Sequence, residues 1–157
     1  MAGTFVSGHA YGGSEPVRVA SALGPALPDV LFGFQAMPIV ATQLAEAIRR
    51  VAPHDVQLVR TVIGACDERF RIVNITRMLD CIDERASQVQ IATVDDIRTG
   101  RAYGRYRADS RIRIRAKAAH GAQLFRLLHW PVAVIASHEV IALLEAARAT
   151  GVRWEPV

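Results

Sequence analysis

The segment 38-PIVATQLAEAIRRVAPHDVQLVRTVI-63 contains a complete strand-helix-strand pattern. The apolar run 39–41 predicts a short strand, and Thr42 follows it as a residue type that caps helices by accepting a backbone N–H hydrogen bond. Pro53 ends the predicted helix, and residues 56–63 predict the second strand. The apolar face of the helix, at helical spacing, consists of Leu44, Ala47, Ile48 and Val51.

A similar pattern returns near the C-terminus. Residues 132–136 are apolar, Ser137 occupies the helix-cap position, and Gly151 offers a left-handed end to the helix. Residues 152–157 then predict a closing strand. The two units lie about 95 residues apart, and they indicate either a pair of similar β-α-β elements or the coincidence of a common pattern. The predicted helical stripe consists of Val140, Ile141, Leu143, Leu144 and Ala147.

The rest of the chain favours β-structure. Residues 1–36 are irregular because glycines and prolines interrupt them, so only short strands fit there. Residues 111–115 alternate, which places Ile112 and Ile114 toward the core and three arginines toward water. We therefore predict an α+β fold with a mixed, mainly antiparallel sheet and two or three helices. Further strands are predicted at 16–20, 29–34, 70–75, 89–94 and 124–128.

The composition is that of one globular domain. The 157 residues are 51% hydrophobic and 22% charged, which is enough apolar material for a single core. No apolar run reaches the roughly 18 residues of a spanning helix, and the first residues do not resemble a secretory signal. We therefore expect a cytoplasmic protein without a membrane association.

Residues 98–117, here called the basic strip, carry eight of the nineteen basic side chains and only one carboxylate, Asp109. The strip has a net charge of +7 on a body that sums to −3, because the whole chain is +4. Interleaved arginines and tyrosines are typical of protein interfaces, but they also occur on solvated strand edges and, with less support here, on nucleic-acid-binding surfaces. The candidate partner-binding residues are Arg101, Tyr103, Arg105, Tyr106, Arg107, Arg111 and Arg113.

Signals of catalysis are weak. Asp80, Asp83 and Glu84 could share a proton, but Arg77 and Arg85 stand beside them and favour local ion pairing. His54-Asp55 could form an oriented base, although its place at a helix exit favours a surface turn. The sequence has no nucleophile elbow, no phosphate-binding loop, and no Cys or His spacing of a metal site, so we expect neither a metal nor a cofactor.

Three segments together resemble a known family. They are FRIVNI at 70–75 followed by LDCID at 79–83 and Ser87, then LFRL at 124–127, and finally VIAS at 134–137 through the closing helix to Trp154. In this order they resemble the immunity-protein family of bacterial polymorphic toxin systems, of the myxobacterial immunity-domain type, over residues 37–157. The motif residues are Asn74, Asp80, Asp83, Ser87, Phe125 and Arg126, which we expect to maintain the fold.

The resemblance implies an antitoxin that is not an enzyme and that binds a cognate toxin. We expect the basic strip to meet an acidic toxin surface, since charge complementarity speeds capture. Two alternatives are a nucleic-acid-binding module that uses the same strip and an enzyme built on Asp80 and Asp83. The sequence leaves self-association, the identity of the toxin and the role of residues 1–36 open.

Overall fold

Two β-sheets and three α-helices make up the computed structural model, which describes residues 4–20, 26–64, 66–101, 104–107 and 110–157. The strands are β1 (Val17–Val19), β2 (Val30–Gly33), β3 (Met37–Ala41), β4 (Val56–Ile63), β5 (Cys66–Ile75), β6 (Met78–Leu79), β7 (Leu124–Leu127) and β8 (Trp130–Ala136). The helices are α1 (Thr42–Val51), α2 (Val94–Arg98) and α3 (His138–Ala146). The predicted α+β class, with mainly antiparallel strands, is confirmed.

The larger sheet has the order β1-β4-β5-β3-β2. Strand β5 pairs antiparallel with both β4 and β3, so β3 and β4 run parallel with β5 between them, and α1 connects them. The predicted strand-helix-strand unit is therefore confirmed. The prediction that Thr42 caps α1 is wrong, because β3 continues directly into the helix and Ala41 occupies the cap position.

The C-terminal unit is only partly as predicted. Strand β8 and α3 are present, and the Ser137 side chain accepts a hydrogen bond from the Val140 backbone N–H. Residues 152–157 form no strand. The backbone hydrogen bond to β2 lies just before them, where Val30 N–H donates to the Thr150 carbonyl. The left-handed residue directly after α3 is Arg148, not Gly151. A pair of complete β-α-β units is therefore not formed.

The smaller sheet has the order β6-β7-β8. Beside it, the predicted strands 89–94 and 111–115 are replaced by isolated bridges, which join Ile82 to Ile114, Gln88 to Arg111, and Ile91 to Tyr106. Val94 starts α2 instead of ending a strand. The predicted alternation is nevertheless correct in direction, because Ile112 is buried, Ile114 is half-buried, and the three arginines are exposed.

Both faces of the larger sheet are covered. Val40 and Val73 face α1 and α3, whereas Ile39 and Ile72 face a second cluster that includes Phe5. Successive residues of β3 and β5 thus enter opposite cores, as the two-residue period of a strand requires. A third cluster lies under the smaller sheet and includes Cys81, Tyr106, Ile112, Phe125 and Leu127.

Asp55 connects the two sheets. Its carboxylate accepts hydrogen bonds from the backbone N–H groups of Gln123 (2.7 Å) and Leu124 (3.3 Å), at the start of β7. Its carbonyl accepts the Thr76 N–H at 2.9 Å. The interpretation of His54-Asp55 as a surface turn is correct for exposed His54 and wrong for Asp55, which is 6% exposed.

Arg126 makes the second connection. Its fully buried guanidinium donates to the carbonyls of Pro131 (2.5 Å) and Ala36 (3.0 Å), and it forms no ion pair with a carboxylate of the described residues. Burial lowers the pKa of Arg126 to about 10. The Ala36 carbonyl belongs to a turn in which Gln35 and Ala36 both have positive φ, an uncommon conformation for residues other than glycine.

Candidate functional site

The basic strip lies on the irregular segment beside the smaller sheet. Of the seven candidate contact residues, Tyr103 lies outside the described residues, as does Asp109. Arg101, Arg105, Arg111 and Arg113 are exposed. The strip is tied to the sheet by the Arg105 backbone N–H, which donates to the His129 carbonyl at 2.9 Å.

Intramolecular ion pairs neutralise part of the strip. The guanidinium of Arg105 lies 3.0 Å from the Glu84 carboxylate, and that of Arg98 lies 3.1 Å from Asp95. Arg107 lies 4.0 Å from the partly buried carboxylate of Asp96. Exposed pairs of this kind contribute little to stability, but they reduce the positive field that a partner meets.

Other arginines of the strip have no such ion pair within 4.0 Å in the described ranges. Arg101 and Arg111 have no carboxylate within 4.0 Å among the residues that the structure describes. Arg101 nevertheless lies near enough to Asp96 to add to the lowering of the pKa of that carboxyl, which comes first from the Thr93 hydrogen bonds. Arg113 donates to the Pro156 carbonyl at 3.1 Å, and Arg115 donates to the Asp80 carbonyl at 3.3 Å. These bonds to neutral acceptors orient the two guanidinium groups and leave their charges uncompensated.

Tyr106 belongs to the core and not to the exposed surface. Its ring is 1% exposed, and its hydroxyl donates to the Glu84 carboxylate at 2.5 Å. Burial, followed by the contact with Glu84, raises the pKa of Tyr106 to about 12. The Arg105 guanidinium lies 5.7 Å from the ring centroid. Tyr106 therefore positions Glu84 and Arg105, and it is not placed to contact a partner directly.

An open cleft of about 590 Å³ lies next to Tyr106. It brings together Asp80, Asp83 and His129, the grouping that the enzyme alternative requires. The Asp83 carboxylate, however, accepts the backbone N–H groups of Arg85 and Ala86, both at 3.1 Å, so it holds a turn. Asp80 is 59% exposed and lies 3.8 Å from His129, a separation too long for a direct hydrogen bond. The cleft is therefore better described as an ion-pair network than as an acid–base site.

The remaining motif residues make contacts within the fold and lie apart from one another. Buried Asn74 donates to the His9 carbonyl (2.9 Å) and to Gln57 (3.1 Å), which fixes the N-terminal segment on β5. The Ser87 hydroxyl accepts the Arg113 N–H at 2.7 Å. Phe125 is in the core under the smaller sheet.

One surface feature was missed by the sequence interpretation. Ile91, Val94 and Ile97 are 62%, 81% and 59% exposed, on and just before α2. The signal that could have revealed α2 is the sequence TVDD at 93–96, since Thr93 and Asp96 form a capping box. With that helix assigned, residues 89–94 no longer predict a half-buried strand.

Two further observations concern the described parts of the chain. The described residues include no helix of the length and apolar character that a membrane crossing requires. No group of three or more His, Cys, Asp or Glu side chains within them could hold a metal ion.

The fold and its exposed arginines define a small α+β protein whose surface features lie on an irregular segment outside the sheets. The chain belongs to the immunity protein family Imm11, whose profile matches residues 15–157. The match confirms the resemblance and extends it into residues 15–36, where the sequence motifs gave no support. No curated protein matches the chain significantly.

Proposed function

We propose that this chain is an immunity protein that neutralises a cognate bacterial toxin by binding to it, and that it catalyses no reaction. Membership of the immunity protein family over residues 15–157 is the observation that carries the proposal. The structure adds a compatible surface: exposed arginines on a segment that is hydrogen-bonded to a stable sheet. We place this function in the cytoplasm.

The proposed contact uses the basic strip, with Arg101 and Arg111 as its leading charges. These two guanidinium groups are exposed and form no ion pair within 4.0 Å in the described part of the chain, and Arg101 interacts with Asp96 only at longer range, so both can pair with carboxylates of a toxin. Arg105 and Arg107 contribute less, because they would first have to give up Glu84 and Asp96. Long-range attraction of this kind raises association rates by about 10- to 1,000-fold.

The two alternatives have less support. A nucleic-acid-binding module that stacks bases on the tyrosines of the strip needs these rings to be exposed, and Tyr106 is buried. An enzyme needs a base that is free to accept a proton, and Asp83 is occupied by backbone donors.

The test is the double variant Arg101→Glu/Arg111→Glu, compared with Arg18→Glu/Arg50→Glu as a matched control. The control arginines are exposed on β1 and α1, and both variants change the net charge by the same amount. The probe is the purified C-terminal domain of the protein encoded immediately upstream of this gene, which the proposal takes to be the cognate toxin. Stopped-flow kinetics should show an association rate about 10-fold or more below wild type for the strip variant only, with an unchanged melting temperature.

Equal rates for the strip and control variants would remove the strip from the interface. Two further measurements address the alternatives. Tight binding of wild type to a random-sequence RNA at physiological salt, without binding to the toxin domain, would favour the nucleic-acid module. Turnover that is lost in a folded Asp80→Ala variant would favour the enzyme.

A further inference from the structure

The side chains of Ile91, Val94 and Ile97, here called the apolar ridge, are exposed within seven residues of sequence. Single exposed apolar residues are ordinary on protein surfaces, but a group that is rimmed by charge is typical of an interaction site. Val94 and Ile97 are three residues apart on α2 and therefore share one helix face.

Hydrogen bonds fix the backbone that carries the ridge. The Asp96 N–H donates to the Thr93 hydroxyl at 3.2 Å, and the Asp96 carboxylate accepts the Thr93 N–H at 3.0 Å. These are the two reciprocal hydrogen bonds of a capping box. Just before it, Ala92 N–H donates to the Arg105 carbonyl (2.9 Å), and Arg107 N–H donates to the Gln90 carbonyl (2.8 Å). Docking on such a preorganised surface has a smaller entropy cost than docking on a mobile loop.

The segment that carries the ridge has an excess of positive charge. Residues 88–113 contain six arginines and three aspartates, a net charge of +3. The two carboxylates in the first turn of α2 are partly compensated, because Asp95 pairs with Arg98, and Asp96 is turned toward Thr93 and Arg107. A second copy of the chain placed on the ridge would bring like charges together, whereas a partner with carboxylates around an apolar depression would complement it.

We propose that the apolar ridge is the centre of the interface with the toxin, and that its occupant is an apolar depression bordered by carboxylates on the toxin surface. This inference rests on the proposed function. It divides the interface into an apolar centre, which holds the complex together, and a basic strip, which speeds encounter.

The test compares Val94→Ser/Ile97→Ser with Phe34→Ser/Leu128→Ser, a control that removes two other exposed apolar side chains, 69% and 50% exposed. The probe is again the purified upstream toxin domain. Calorimetry and surface plasmon resonance should give a dissociation constant about 100-fold higher for the ridge variant than for wild type. This is a loss of about 2.8 kcal/mol in binding free energy, at about 1.4 kcal/mol per tenfold change. Most of the change should be a faster dissociation rate.

The single variant Val94→Ser keeps the test independent of folding, because its side chain is 81% exposed and its loss leaves the core intact. Affinity equal to wild type in the ridge variants, or an equal loss in the control, would overturn the inference while leaving toxin binding established. A shift of the free chain from dimer to monomer in the ridge variant would also overturn it, because the occupant would then be a second copy. If wild type fails to bind the toxin domain, both the proposed function and the inference fail.

Discussion

Replacing Asp55 by Ala should remove the carboxylate hydrogen bonds that connect the two sheets. The substitution leaves the Gln123 and Leu124 N–H groups without their acceptor at the start of β7, where Leu124 is buried. Each orphaned buried donor costs about 1–3 kcal/mol. Gln123 is half-buried, so water can replace part of its lost bond. We therefore expect a loss of about 3 kcal/mol in the free energy of unfolding, or roughly 6–12 °C in melting temperature for a chain of this length.

Two variants make the comparison specific. Asp55→Asn keeps an oxygen that can accept both N–H groups, so it should lose about 1 kcal/mol. Asp80→Ala removes an equivalent carboxylate from a side chain that is 59% exposed, and it should change stability by less than about 0.5 kcal/mol. Urea unfolding, followed by circular dichroism, measures all three.

The reasoning would be refuted by Asp55→Ala unfolding within about 0.5 kcal/mol of wild type. Equal losses in the Ala and Asn variants would also refute it, because the negative charge and not the acceptor geometry would then be responsible. An unchanged slope of the free energy against urea is required for either conclusion, since a changed slope would mean a different denatured state.

Two further predictions concern the other tertiary connections. Arg126→Met should lower the free energy of unfolding by about 1–3 kcal/mol, because the carbonyls of Pro131 and Ala36 lose their donors. The loss is moderate because the substitution also removes the cost of burying a charge. A free energy of unfolding in urea equal to that of wild type would contradict the prediction. At Asp29, hydrogen bonds from Thr150 hold the carboxyl pKa below 3.8, so the stability advantage of wild type over Asp29→Asn should be full above about pH 5 and disappear as pH falls through the folded-state pKa. Melting curves of wild type and Asp29→Asn from about pH 2 to about pH 6 measure this advantage, and a melting-temperature difference that stays constant over that range would contradict the prediction.

The regular part of the fold was predictable because its signals are local. The β3-α1-β4 unit follows from an apolar run, helical spacing and Pro53, and β4 has the predicted bounds. The failures occur where tertiary contacts decide the structure. Residues 152–157 have the composition of a strand, but the chain's backbone hydrogen bond to the edge strand β2 is made before them, between Val30 N–H and the Thr150 carbonyl.

The candidate site was less predictable, for a physical reason. The sequence shows which residues are charged, but ion pairing depends on which carboxylates the fold brings near. Arg105 meets Glu84 across 21 positions of sequence, and no spacing rule predicts that contact. The same holds for Asp55, whose role depends on donors that are 68 and 69 positions away.

The proposed docking surface and the fold depend on different kinds of interaction. Residues 88–113 have single bridges instead of a continuous ladder, and their conformation is set by side-chain bonds such as the Thr93 capping box and the Ser110 hydroxyl, which accepts the Gln90 N–H. The sheets are held by buried contacts and by Asp55 and Arg126. Exposed side chains of residues 88–113 can therefore change without a cost to the core, whereas the polar connections cannot. A binding protein built in this way can match a different partner surface while its stability is preserved, which is why the ridge variants should affect affinity and the Asp55 variants should affect unfolding.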